Sequence, residues 1–152
     1  MRWRTRTNGR TERGASAVEF ALVMPILILV LIGIVNFGFV LAQQISLNNA
    51  ARQAARYAVV DGRTCLDIKN EGKNAAETIG MSVSAGTVPT PVITNCTSDT
   101  AKPCAGTAPN TNITVTMTRS GTADTWAITA PPFNLITVPT VRGTGVMRCE
   151  FS

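Results

Sequence analysis

Between Phe20 and Ala42 the chain runs for 23 residues without a charged side chain. As an α-helix, rising about 1.5 Å per residue, that stretch would reach about 34 Å, enough for a hydrocarbon core of about 30 Å. The apolar region of a removable secretory leader is usually about 7–15 residues long. No A-x-A-like cleavage site follows the run either, since Leu41-Ala42-Gln43-Gln44 is a poor one. The run reads as a retained membrane-spanning helix.

Charge placement agrees with a span. The formal net charge of the 152 residues is +5. Arg2, Arg4, Arg6, Arg10 and Arg13 stand against Glu12 before the run, which leaves the rest of the chain nearly neutral. A basic segment beside an apolar run is a topology signal, placing residues 1–14 in the cytoplasm and the C-terminal part of the chain outside it. It is not a nucleic-acid groove, and one Tyr and two Trp leave little for stacking on bases. The absence of His removes the His-assisted nucleophiles and the commonest metal ligand, so no catalytic residue is assigned and no enzyme is expected.

The helical pattern outlasts the span. Gln43 to Val60 contains neither Gly nor Pro, and Leu47, Ala51, Ala54 and Ala58 form one stripe while Arg52 and Arg56 form a solvated face. Asp61-Gly62 supplies a stop. One helix from about Ser16 to Val60 is expected, roughly 65 Å long. Residues 64–80 read as a second helix weakened by Gly72, and 85–112 as loop. Alternation of Ile113, Val115 and Met117 with Thr predicts a strand, with a partner strand marked by Trp126 and Ile128. Val138, Val141 and Val146 suggest one or two further short strands, interrupted by Pro139 and Gly143-Thr144-Gly145. The expected fold class is therefore α+β: a long N-terminal transmembrane helix continuing into a small extracytoplasmic head with an antiparallel β-sheet. Its parts are a basic cytoplasmic leader (1–14), the extended helix (15–61) and the head (62–152).

Ahead of the run stands Arg13-Gly14-Ala15-Ser16-Ala17-Val18-Glu19-Phe20. Ser16-x-x-Glu19 fits a helix capping box, a sufficient account of those two residues by themselves. It does not account for the position of Glu19, the last charge before 32 uncharged residues. A carboxylate at the edge of hydrocarbon is costly unless paired and marks a functional candidate. Within the run, Pro25 is tolerated as a kink in a membrane helix. Asn36 could bond a neighbouring helix, and Gly38-x-x-x-Ala42 permits close helix approach.

The segment from Arg13 to Pro25 resembles the N-terminus of TadE-like proteins, minor pilin-like components of the Flp, or Tad, type IVb pilus system. The resemblance continues through Gly33-Ile34-Val35-Asn36-Phe37-Gly38 and from Asn49 to Ala58, and Val146-Met147-Arg148-Cys149-Glu150 is similar to the family's final strand. It implies residence in the bacterial inner membrane as a single-pass protein. It also implies cleavage by a prepilin peptidase between Gly14 and Ala15, and packing with Flp pilins or other minor pilin-like proteins through the helix. Glu19 would become the fifth mature residue, pairing with the Ala15 amine of a neighbour, and Phe20 the sixth. The same topology would also serve an unprocessed, membrane-anchored binding domain.

Cys65, Cys96, Cys104 and Cys149 all lie after the span. Without a C-x-x-C pair or His, zinc is not expected, and no other metal or cofactor is implied. Outside the cytoplasm the four would form disulfides. Four cysteines allow three connectivities. Proximity in sequence favours Cys96 with Cys104 across Pro103, leaving Cys65 with Cys149. The carboxylates of the head are scattered and read as surface charges.

Overall fold

A computed structural model describes residues 11–78 (side chains from Gly14 onward), 80–108, 110–120 and 139–150. The fold is α+β, with helix α1 (Thr11–Ala58), helix α2 (Cys65–Ala75), and strands β1 (Val92–Ile93), β2 (Asn112–Arg119) and β3 (Val141–Arg148). The chain divides into two compact units, Met1–Val35 and Asn36–Ser152.

In the first unit the described residues are helical throughout, and α1 passes Pro25 without a break. Its apolar side chains stand open: Leu22, Leu27, Leu31 and Ile34 are all more than half exposed. A core helix of a soluble domain would bury that surface. This one is long and apolar enough to cross a membrane, and none of its apolar window is buried. The helix begins five residues earlier than expected, so Ser16 lies inside it and is not its cap.

In the second unit the sheet order is β1-β2-β3, antiparallel throughout. β2 presents Ile113, Val115, Met117 and Arg119 to the interior, as its alternation predicts. The opposite layer is the far part of α1, whose stripe of Leu47, Ala51, Ala54 and Ala58 is buried while Arg52 and Arg56 are exposed. Small side chains on the helix let it approach the sheet closely, and the sheet answers in kind. A Cβ added to Gly143 would overlap the Leu47 carbonyl, and one added to Gly145 would overlap the carbonyl of Ala51. The expected interruption at Gly143-Thr144-Gly145 is therefore corrected: β3 runs unbroken through both glycines, because they mark a close backbone approach.

α2 is shorter than the pattern suggested, ending at Ala75. Thr64 caps it: its hydroxyl accepts from the Asp67 N–H at 3.3 Å, and Asp67 Oδ2 accepts from the Thr64 N–H at 3.1 Å. Gly72 weakens the helix locally but touches Pro91 and Ala54 so closely that a Cβ would stand 2.8 Å from Pro91 Cγ. Residues 85–112, expected as loop, contain the two-residue strand β1. The anticipated strand at Trp126 and Ile128, and Val138, lie outside the described residues. Among the described residues β2 pairs with β1 and β3.

Candidate processing and assembly segment

The residues singled out before the span lie on the opening turns of α1. Gly14, Ala15, Glu19 and Phe20 are all exposed. A Cβ added at Gly14 would meet nothing within 4 Å, so packing does not require glycine there. The capping role considered for Ser16 and Glu19 is absent, because helix continues upstream to Thr11 and leaves no free N–H groups at Ser16. Glu19 makes no salt bridge among the described residues, where the ion pair found is Lys69–Asp99 at 2.7 Å. An exposed carboxylate and an exposed Phe thus begin a face of apolar side chains that stand exposed. The expected cut at Gly14 would need an extended backbone, and so an unwound first turn of α1. Terminal turns fray at little cost.

Further along α1, Asn36 Oδ1 is buried and has no hydrogen-bond partner among the described residues. Gly38 is exposed, and a Cβ added to it would meet nothing within 4 Å. Close packing inside this chain is not what calls for a small residue at that position.

In the head all four cysteines are oxidised, but the pairing differs from the expectation. The bonds are Cys65–Cys96 and Cys104–Cys149, with Cα separations of 5.9 and 5.8 Å. Closeness along the chain misled, because strand pairing sets the neighbours. β1 leads Cys96 back to the start of α2, where the loop carbonyls of Ala101 and Asp99 accept from the N–H groups of Cys65 and Leu66. Cys104 sits beside the end of α1, its sulfur 3.7 Å from the Ala58 carbonyl oxygen. The end of β3 brings Cys149 to the same place, its N–H donating to the Thr111 carbonyl at 2.8 Å.

The scattered carboxylates hold local structure. Asp67 caps α2, and its hydrogen bonds to Thr64 hold its pKa below the ordinary value. Glu71 accepts from Gln53 at 2.6 Å and Glu77 from the Val83 N–H at 2.9 Å. A cleft of about 540 Å³ between residues 58–63 and 102–106 was not anticipated, since nothing in the spacing links those segments. Arg63 and Lys102 line it with Asp61, and no nucleophile with an adjacent base converges there. Among the described residues no cluster of His, Cys, Asp or Glu could hold a metal ion.

Comparison with known families adds to this picture at one place. Residues 14–56 match the model of the TadE-like protein family. Proteins of the TadE-like family are pilin-like, associated with the Tad pilus, and structural components rather than known enzymes. The matched stretch opens on Gly14, takes in the whole apolar run and closes at Arg56, two residues short of the end of α1. The TadE-like match thus coincides with the helix and leaves the disulfide-bonded head outside it. No curated protein and no solved structure matches the chain.

Proposed function

We propose that this chain is a minor pilin-like component of Flp/Tad pilus assembly. A prepilin peptidase cuts it between Gly14 and Ala15, freeing the helix of its basic leader. The helix enters the cytoplasmic membrane with residues 62–152 outside, and packs with Flp pilins or sister minor pilins through its apolar face, in the membrane or, after assembly, in the pilus. The observation that carries this reading is the TadE-like match beginning at Gly14, on a helix whose apolar surface has no partner among the described residues. An exposed glycine without a packing reason fits a peptidase that needs a small residue before the cut. Glu19, one helical turn beyond Ala15, is positioned to neutralise the amine that cleavage creates on a neighbouring subunit. In a host with the cognate peptidase, Gly14→Leu accumulates the uncut form and no longer co-purifies with pilus subunits. Normal processing of that variant would overturn the assigned bond.

A further inference from the structure

The two disulfides join the cysteines in the order in which the chain presents them: Cys65 with Cys96, then Cys104 with Cys149. Of the three connectivities open to four cysteines, this is the one in which each pair can close as soon as its second member appears. A Cys96–Cys104 bond, closing the shortest loop, would have to be undone before the native pairs could form.

The surroundings of each bond keep the same order. Cys65 opens α2, where its N–H donates to the Ala101 carbonyl at 2.8 Å and the Leu66 N–H to the Asp99 carbonyl at 2.9 Å. Lys69 pairs with Asp99 at 2.7 Å. Gly72 of the same helix lies against Pro91 and against Ala54 of α1. All of these partners precede Cys104 in the chain. The contacts that flank Cys65 and Cys96 are therefore on hand before Cys104 appears. The second bond is late by construction. The Cys149 N–H donates to the Thr111 carbonyl at 2.8 Å, and its own carbonyl accepts from the Asn110 N–H at 3.3 Å. Both contacts need β3 laid along β2, with Arg148 opposite Asn112.

Timing favours the same partners. Cys96 follows Cys65 by 31 residues, roughly 2–6 s at a synthesis rate of about 5–20 residues per second. Cys104 comes only eight residues after Cys96, about 0.4–1.6 s at the same rate. A Cys65 sulfur already activated when Cys96 arrives meets Cys96 first.

We propose that the head is a substrate of an extracytoplasmic dithiol oxidase that acts as the chain emerges, and that its native pairing needs no disulfide isomerase. The Cys65 thiolate attacks the oxidase's disulfide, forming a mixed disulfide and freeing one oxidase thiol. The Cys96 thiolate then attacks the Cys65 sulfur, closing Cys65–Cys96 and releasing the second oxidase thiol. Two electrons and two protons pass to the oxidase, which leaves as a dithiol. Cys104 and Cys149 repeat the exchange with another oxidised molecule of the enzyme. The proposal rests on the head lying outside the cytoplasm, and not on processing at Gly14 or on pilus assembly.

The full chain is pulse-labelled and acid-quenched in three hosts: a parent, one lacking the oxidase and one lacking the isomerase. A maleimide-linked polyethylene glycol counts free thiols, and unreduced peptide mapping identifies the pairs. The parent and the isomerase-deficient host should both give a chain without free thiols and with the same two bonds. The oxidase-deficient host should give a chain that still carries its four thiols at the end of the same pulse. Cys96→Ala should divert Cys65 to Cys104, the next thiol to arrive, a readout that needs no folded head. Undiminished oxidation without the oxidase would overturn the proposal, as would a Cys96–Cys104 bond in the isomerase-deficient host. So would Cys65 joined to Cys149 in the Cys96→Ala variant. Free thiols in every host, the parent included, would overturn the extracytoplasmic placement of the head and the proposal with it.

Discussion

Glu19 separates a local role from an intermolecular one. In the full-length helix it caps nothing, since α1 starts at Thr11. A purely local function after cleavage would tolerate Glu19→Gln, because Gln serves near a helix N-terminus almost as well. Neutralising a neighbour's Ala15 amine would not, since removing one partner near the membrane strands the other charge at a cost of several kcal/mol. The variant is expected to be cut normally and to insert, yet to lose co-purification with pilus subunits. Immunoprecipitation with counts of surface pili checks it. Asp67 offers a pH test. Its folded pKa lies below the ordinary 3.8, so its contribution is complete above that range and disappears as pH falls through the lowered value. The stability gap between wild type and Asp67→Asn should therefore be constant near neutrality and close below about pH 4, as urea midpoints would show.

Among the elements, the contact of α1 with β3 has the least room to give. Gly143→Ala or Gly145→Ala forces a methyl into the helix backbone and should cost about 3 kcal/mol. Thr144→Ala, facing outward between them, should change stability by less than about 0.5 kcal/mol. Urea melts of the solubilised chain compare the three. Much of this architecture was legible in the sequence. The Ala stripe of α1 and the Thr alternation of β2 each carry a period that burial simply reads out. What was not legible depends on partners remote in sequence. Gly143 and Gly145 look like a break until a helix lies on them, and β1 is too short to carry a period. The disulfides joined residues 31 and 45 apart, where spacing had favoured the short loop between Cys96 and Cys104. Each closure contributes about 4 kcal/mol in the chain-entropy model. Peptide mapping without reduction should recover Cys65 with Cys96 and Cys104 with Cys149.

For the molecule as a whole, the proposed processing segment is contiguous in sequence where the head's cleft is not. Leader, Gly14, Glu19, Phe20 and apolar run stand in linear order, whereas the cleft needs tertiary structure to gather its two segments. The topology proposed from the asymmetry of charge has residues 1–14 inside and the head outside. A periplasmic reporter fused after Ser152 should accordingly be active and a cytoplasmic one silent. Everything proposed about assembly then depends on one event, the cut after Gly14. Intact-mass and N-terminal analysis of the membrane-extracted protein, from a host with its cognate peptidase, measures it directly. The account predicts a chain of residues 15–152 beginning at Ala15. A chain that still carries residues 1–14 would contradict it and leave a membrane-anchored domain that is never processed.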